Sequence, residues 1–259
     1  MTAILELRDL SVRYGGLNAV DHLSMTVEPG TFVGLIGPNG AGKTTLVDSI
    51  TGFVSPSSGT VAFGGRDITR ASAHRRARLG LRRTFQSIEL FEDLTVRENV
   101  LVSTEPSRWY SVVTDLLWPA RWRPNPRVDW ALDLLGLTDH ADRMPPELSQ
   151  GQRKLVGVAR ALADEPKLVL LDEPAAGLDT AESEVLGGHL RGLLDHGITV
   201  LLVDHDMGLV LGVCDTIWVL DFGRIIAHSS PAEIRNDPSV IAAYLGTQAT
   251  PDAVAEAKP

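Results

Sequence analysis

Residues 37–45 read GPNGAGKTT and stand between an apolar run at residues 31–36 and a helix-like segment at residues 46–50. The spacing G-x-x-x-x-G-K-[ST] is that of a P-loop, in which glycines let successive backbone N–H groups turn inward on a polyphosphate. The helix that follows adds its positive N-terminus. The sequence therefore predicts a phosphate-binding loop made of Gly37, Pro38, Asn39, Gly40, Ala41, Gly42, Lys43, Thr44 and Thr45.

The last three residues of this loop have side chains suited to a nucleoside triphosphate. Lys43 is expected to reach the β and γ phosphates, and Thr44 to place its hydroxyl on Mg²⁺. Thr45 is expected to bond an α phosphate. The motif thus predicts ATP and Mg²⁺ as the bound species.

Three apolar runs, at residues 31–36, 168–171 and 198–203, have the composition of strands buried in a parallel sheet. They are followed by the P-loop, by Asp172-Glu173 and by Asp204-His205. In open α/β sheets the ligand lies beyond the carboxyl ends of the strands. We therefore expect the three segments to converge on one phosphate.

Four side chains in and around these segments are candidates for chemistry. Asp172, at the end of an apolar strand, is placed like a Walker B carboxylate that holds the Mg²⁺ shell opposite Thr44. Glu173 is expected to orient and deprotonate the attacking water. His205 is expected to bond the γ phosphate or the water, and Gln86 to reach Mg²⁺ or the water.

Composition narrows the class of protein. The chain has 259 residues and a formal net charge of −9, which argues against general nucleic-acid binding. The arginines between residues 75 and 83 are interpreted as a solvated helix face. A single cysteine, Cys214, excludes an internal disulfide, and with no signal peptide it indicates the cytoplasm. No apolar run approaches the ~18 residues of a membrane span, so any membrane role requires a partner.

The rest of the chain suggests one domain, at residues 1–246, with two additions to a P-loop core. Residues 5–14 and 60–63 alternate with a period near two, which predicts an antiparallel β flap. Residues 87–160 are predicted to form an inserted α-helical lobe, interrupted by a proline- and tryptophan-rich segment at 106–130. Residues 247–259 are expected to be a disordered tail. The predicted fold class is α/β with a mainly parallel sheet.

The segment LSQGQ at residues 148–152 opens a helix with apolar residues at helical spacing, and Ser149 stands at its N-cap position. The chain thus has a second helix start able to bind an anion. Two interpretations stay open: the helix is merely capped, or it closes on a nucleotide bound by another copy of the protein.

These motifs, in this order, resemble an ABC transporter nucleotide-binding subunit over residues 4 to 246. The resemblance implies that two subunits, as a homodimer or a paralogous heterodimer, sandwich two ATP molecules head to tail. It assigns Ser149, Gly151 and Gln152 a role on the neighbour's nucleotide, and Asp179 a role at the subunit seam. Tyr14 matches the aromatic residue that stacks on adenine. The sequence departs from the pattern at Gln150, where the family usually has glycine.

Secondary likenesses, such as RTFQ at residues 83–86 and the closing segment 234–246, resemble the ATPases of branched-chain amino acid importers. Related subunits serve urea, amides, aromatic acids or lipid export. The implied partners are transmembrane permease subunits and, indirectly, a solute-binding protein, with the chain on the cytoplasmic face of the membrane. Leu90 and Phe91 are expected to anchor a permease helix. The alternative is a soluble ABC ATPase without a transporter.

Overall fold

Two β-sheets frame the fold in the computed structural model, which describes residues 2–84, 90–104 and 125–246. The smaller sheet is antiparallel, with the order β2-β1-β4-β5. It is the predicted β flap. Its strands are β1 Leu5–Tyr14, β2 Leu17–Val27, β4 Ser58–Phe63 and β5 Arg66–Asp67.

The larger sheet has six strands in the order β10-β9-β3-β8-β7-β6, and all neighbours except β10 and β9 run parallel. The three strands predicted from apolar runs are present, with ends within one residue of the predicted ends. A mainly parallel α/β sheet is confirmed. Its strands are β3 Phe32–Ile36, β6 Leu81–Arg83, β7 Leu168–Asp172, β8 Thr199–Val203, β9 Thr216–Asp221 and β10 Arg224–Ser229.

Both faces of this sheet are covered. Side chains at alternate positions of β3, β7 and β8 enter two separate hydrophobic cores. Phe32, Val169 and Leu202 lie in one, and Val33 and Leu170 lie in the other. Because both faces of the sheet are buried, these strands are continuous apolar runs and do not alternate between apolar and polar residues.

Helices fill the connections between the strands. Their bounds are α1 Lys43–Thr51, α2 Ala73–Arg78, α3 Val96–Thr104, α4 Pro126–Leu134, α5 Gln150–Leu162, α6 Thr180–Gly192, α7 Met207–Val213, α8 Pro231–Ile234 and α9 Pro238–Gly246. None of the helices within the described ranges is long and apolar enough to cross a membrane.

The chain leaves the large sheet after β6 and returns to it at the neighbouring strand β7. Helices α3, α4 and α5 belong to this excursion, and they pack together through Val100, Leu132 and Leu155. Trp130 on α4 packs on the same core and makes an edge contact with His196, at 6.1 Å between ring centroids. The lobe boundary at 87–160 stays a prediction. Three tryptophans of the proline- and tryptophan-rich segment, Trp109, Trp118 and Trp122, lie outside the described residues. The predicted tail at 247–259 also lies outside them.

The prediction that the arginines of residues 75–83 form a solvated face is wrong for Arg76 and for Arg83, whose side chain is 10% exposed. Arg76 is 1% exposed, and its guanidinium donates to the carbonyl oxygens of Ser49, Ile50, Thr69 and Ala71 at 2.6–2.9 Å. Two of these carbonyls belong to the last turns of α1, so Arg76 satisfies acceptors that the end of a helix leaves open.

Replacing Arg76 by methionine is expected to lower the free energy of unfolding by about 3 kcal/mol, because buried carbonyls lose a charged donor. The neighbouring Arg75 is exposed, so Arg75→Met is the matched control and should change stability by less than about 0.5 kcal/mol. Urea denaturation of the two variants measures both values. Equal stability of the two variants would contradict the structural role of Arg76.

Candidate functional site

The carboxyl ends of three adjacent strands meet at one edge of the large sheet. Val203 of β8 is paired with Leu35 of β3 on one side and with Asp172 of β7 on the other. The P-loop, Glu173 and His205 follow these strand ends directly. The structure therefore brings the three predicted segments together.

A cavity of about 550 Å³ opens at this edge, a size suited to a nucleotide. The P-loop forms one wall and Glu173 contributes to it. The β1–β2 turn and the β9–β10 turn form the rest. Its lining within the described residues is Gly16, Leu17, Asn18, Ala19, Asn39, Gly40, Ala41, Gly42, Lys43, Thr44, Thr45, Glu173, Phe222 and Gly223.

Two glycines of the P-loop are required by close backbone contacts. A Cβ on Gly37 would lie 2.1 Å from the carbonyl oxygen of Leu220. A Cβ on Gly42 would lie 2.3 Å from the carbonyl oxygen of Ala19, and Gly42 has a φ of 106° at the N-cap of α1. Neither position has room for a side chain, so only glycine fits the loop at these two positions.

Lys43 begins α1, and its Nζ donates to the carbonyl oxygens of Gly37 at 2.6 Å and Pro38 at 3.1 Å. Burial lowers the pKa of Lys43, and the carboxylates of Glu173 and Asp172 oppose this shift. The ammonium group is therefore held inside the loop with both carboxylates close enough to act on it.

Asp172 has a partner that the sequence did not indicate. Its Oδ2 accepts from Nη2 of Arg83 at 2.7 Å, while Nη1 of Arg83 donates to Asp48 on α1. The Asp172 and Arg83 side chains are 8% and 10% exposed. Arg83 thus links the strand before Gln86 to the P-loop helix and holds one carboxylate oxygen of Asp172, leaving the other for a ligand.

Glu173 adopts a left-handed backbone conformation with φ at 48°, which is rare for a residue with a side chain. Its N–H donates to the carbonyl of Val203 at 2.7 Å, fixing the residue against β8. The Glu173 Oε1 lies 3.7 Å from Nδ1 of His205. The two predicted catalytic side chains are therefore neighbours.

Asp204 positions this pair and was not predicted. It is 1% exposed, and its oxygens accept from the N–H groups of Ala175, His205 and Asp206 at 2.7–3.2 Å. Burial raises the pKa of Asp204, and the three donors oppose the rise. Asp204 connects the turn after Glu173 to the turn that carries His205. The sequence feature that could have indicated this role is that Asp204 directly precedes His205, a predicted catalytic residue.

The LSQGQ segment forms a capped helix start. The Ser149 Oγ accepts from the N–H of Gln152 at 3.2 Å, and Gln152 Oε1 accepts from the N–H of Ser149 at 3.0 Å. The Gln150 side chain lies against Gly177, whose missing Cβ would be 2.6 Å from Nε2 of Gln150. Ser149, Gly151 and Gln152 do not line the cavity within the described part of the chain.

Three further residues were predicted to contact the nucleotide, the metal or the subunit seam, and they are Asp179, Tyr14 and Gln86. Asp179 is the N-cap of α6 and accepts from the N–H of Glu182 at 2.8 Å. Tyr14 ends β1, is 52% exposed and lies two residues before the cavity-lining residues 16–19, and its contact with adenine stays a prediction. Gln86 lies outside the described residues.

Cys214 is buried, and burial raises the pKa of its thiol to about 12, with Asp215 adding to the rise. The thiol is therefore protonated at neutral pH. It serves as a small apolar side chain of the core rather than as a nucleophile.

Comparisons with known proteins agree with this geometry. Residues 20–176 match the ABC transporter family model, and residues 224–254 match the model described as "Branched-chain amino acid ATP-binding cassette transporter". The high-affinity branched-chain amino acid transport ATP-binding proteins LivG of Salmonella typhimurium and BraF of Pseudomonas aeruginosa are each 39% identical over 94% of this chain and 98% of their own length.

The similar solved structures are also ATP-binding cassettes of ABC transporters. A nucleotide-free ATP-binding cassette from an ABC transporter superposes with a TM-score of 0.82 at 33% identity, covering 94% of this chain and 99% of that one. A cassette in its ADP conformation gives 0.81 at 32% identity, over 95% of this chain and 100% of that one. The chain belongs to the ABC transporter family of ATP-binding cassettes and is an ATP-hydrolysing subunit of this family.

Proposed function

We propose that this chain powers the import of branched-chain amino acids. The observation that carries the solute class is the match of residues 224–254 to the branched-chain model, because it covers a segment beyond the shared ATPase motifs. The similarity to LivG and BraF over nearly the whole chain supports it.

Binding of the triphosphate is assigned to the P-loop. Lys43 exchanges its contacts with the carbonyls of Gly37 and Pro38 for the β and γ phosphates, since a buried ammonium group gains from an anionic partner. Thr45 bonds the α phosphate. The positive end of α1 supports the phosphates.

Mg²⁺ fits the residues at the end of β7. The ion prefers one or two carboxylates together with substrate phosphates. Asp172, whose carboxylate Arg83 holds on one oxygen only, and the hydroxyl of Thr44 would hold it, with Gln86 completing the set. Bound there, the ion would neutralise the negative charge of the phosphates.

Hydrolysis is assigned to Glu173 and His205. Glu173 lines the cavity and orients and deprotonates the attacking water, because its carboxylate is fixed on a strained turn at the strand end. His205, 3.7 Å from that carboxylate, bonds the γ phosphate or the same water. Asp204 holds the turn after Glu173 and the turn that carries His205 in place through its hydrogen bonds, so it positions these two residues without contacting the substrate.

A second copy of an ATPase chain completes the site. Within the described residues the cavity lacks any part of the LSQGQ segment, although the start of a helix is suited to bind an anion. Ser149, Gly151 and Gln152 therefore act on the nucleotide of the partner, and Asp179 lies at the seam. The partner is an identical or a paralogous subunit.

The permease subunits contact this chain at the surface near Phe91, and conformational changes driven by ATP are transmitted to them there. The prediction that Leu90 is a docking anchor is wrong, because Leu90 is 5% exposed and lies in the core. Phe91 is 43% exposed, with the guanidinium of Arg160 at 5.3 Å from its ring centre. Buried Asn99 holds the backbone of Phe91 through two hydrogen bonds of 2.8 and 3.0 Å. An exposed ring on a fixed backbone is suited to receive a helix.

Replacing Phe91 by aspartate is expected to reduce transport in the assembled transporter at least about ten-fold, because a charge at an apolar anchor removes binding energy. Thermal melting of the isolated chain should stay close to the wild type. Val185→Asp, at a 61% exposed position on α6, is the control and should transport normally. A large drop in melting temperature for Phe91→Asp would instead make Phe91 a core residue.

The solute is tested by uptake. Deleting the gene in a strain without a second leucine importer is expected to abolish high-affinity uptake of labelled leucine, and the intact gene should restore it while Glu173→Gln should not. Sulfate uptake is the comparison, because the sulfate/thiosulfate import ATP-binding protein CysA of Mycobacterium bovis is 37% identical over 96% of this chain and 68% of its own length. Loss of sulfate uptake with normal leucine uptake would overturn the assignment.

A further inference from the structure

A histidine between α4 and α5 contacts the LSQGQ segment. His140 ends a short 3₁₀ helix, Thr138–His140, and its Nε2 lies 2.9 Å from the side-chain nitrogen Nε2 of Gln152. His140 lies outside the described lining of the nucleotide cavity, and its sequence pattern assigns it no role. The contact therefore joins a residue outside the cavity to the helix start that is proposed to act on the partner's nucleotide.

The second contact of the Gln152 side chain fixes which atoms meet in this pair. Gln152 Oε1 accepts from the N–H of Ser149 at 3.0 Å, so the amide nitrogen is the end that faces His140. An amide nitrogen only donates, and a neutral imidazole has one nitrogen that accepts. In this arrangement His140 is therefore neutral, its Nε2 accepts from Gln152, and its Nδ1 carries the hydrogen.

The other ring nitrogen of His140 does not stabilise the fold. Nδ1 is buried and has no hydrogen-bond partner in the part of the chain that the structure describes. A buried N–H without a partner costs free energy, and an apolar side chain at residue 140 would avoid that cost. What the histidine adds at this position is therefore the acceptor at Nε2.

The backbone next to His140 is held without help from the LSQGQ segment. The N–H of Arg97 donates to the carbonyl of Ala141 at 2.9 Å. The N–H of Val96 donates to the carbonyl of Arg143, also at 2.9 Å. Both donors lie at the start of α3, where a helix leaves its first N–H groups open. Because the turn is attached to α3, the imidazole holds the glutamine in place rather than the reverse.

We propose that His140 is a positioning residue for hydrolysis at the partner's site. By accepting from the amide of Gln152, it keeps Oε1 of that residue on the N–H of Ser149. The Ser149 Oγ in turn accepts from the N–H of Gln152, and a serine hydroxyl also has a hydrogen to donate to a phosphate. This proposal rests on the proposed role of the LSQGQ segment at the partner's ATP. His140 touches no nucleotide and acts by holding the serine in place.

The first test places the change on one chain of a mixed dimer. A Lys43→Ala chain and a Ser149→Asp chain share one working site, built from the P-loop of the second and the LSQGQ segment of the first. Adding His140→Leu to the Lys43→Ala chain should lower ATP turnover about five-fold, the scale of one neutral hydrogen bond. Adding it to the Ser149→Asp chain should not change turnover, because the LSQGQ segment of that chain is already inactive. An equal fall in both dimers, or no fall in either, would overturn the proposal.

A second set of variants, made in the otherwise wild-type chain, separates the acceptor from the fold. His140→Gln places an oxygen where Nε2 is and should keep turnover within about two-fold, whereas His140→Asn places it where Nδ1 is and should lower turnover about five-fold. Titration calorimetry should give each isolated chain the wild-type affinity for ATP. His74→Leu, at an exposed position on α2, is the control and should change neither quantity.

Equal turnover of His140→Gln and His140→Asn would contradict a role for the acceptor at Nε2. A mixed dimer of Lys43→Ala and Ser149→Asp chains that forms but is inactive before residue 140 is changed would instead overturn the shared site of the proposed function, and this proposal with it.

Discussion

Replacing Glu173 by glutamine is expected to slow ATP hydrolysis by about 10²–10⁴-fold, the usual contribution of a positioned general base. Glutamine keeps the size of the side chain and the phosphate contacts of the P-loop, so ATP binding should remain. With hydrolysis blocked and ATP bound, the closed dimer should persist. Single-turnover hydrolysis measures the rate, and size-exclusion chromatography with ATP and Mg²⁺ detects the dimer.

Glu184→Gln is the matched control, because Glu184 is an exposed residue of α6 that is not among the residues lining the cavity. It should hydrolyse ATP at the wild-type rate. A Glu173→Gln chain with more than about a tenth of wild-type turnover would remove Glu173 from the role of base, since a lost general base costs at least about 10²-fold. The turn strain at Glu173 would then require another explanation.

Replacing Ser149 by aspartate should abolish hydrolysis in the dimer while leaving the fold and ATP binding of the isolated chain intact. Aspartate caps a helix as well as serine does, so the hydrogen bond to the N–H of Gln152 survives. Its charge, however, would face the γ phosphate of the partner's ATP. Loss of one donor and gain of a repulsion should lower turnover by about 10²-fold or more.

Mixing this chain with a Lys43→Ala chain distinguishes a shared site from a site within one chain. Each mixed dimer has one site that combines an intact Lys43 with an intact Ser149, so activity should partly return. Lys43→Ala alone should bind ATP poorly, because it lacks the ammonium group that is held within the P-loop. Mixed dimers that form but stay inactive would indicate that each chain acts alone.

Much of the site was predictable because its parts carry strong local patterns. Strands buried on both faces are continuous apolar runs, and the predicted ends of β3, β7 and β8 agree with the structure to within one residue. The P-loop spacing is set by glycines that close contacts require at Gly37 and Gly42. The neighbouring positions of Glu173 and His205 followed from the rule that ligands lie beyond parallel strand ends.

Other features were not predictable because they depend on contacts between distant parts of the chain. Arg75 and Arg76 are adjacent and chemically identical, yet Arg76 is buried because it meets the carbonyls at the end of α1. Leu90 and Phe91 are both apolar, and the direction of each side chain from one short segment decides which is exposed. The bond between Arg83 and Asp172 joins residues 89 positions apart.

The sequence alone determined that this chain binds a nucleoside phosphate on an α/β sheet, because a P-loop requires particular residue types at fixed spacing. It also determined which strand ends carry the chemistry, because burial on both faces marks those strands. Only the tertiary structure decided which polar and apolar side chains meet at the site, among them Arg83, Asp204 and Phe222. The physical reason is that local patterns depend on nearest neighbours, whereas contacts across a sheet depend on the packing of the whole chain.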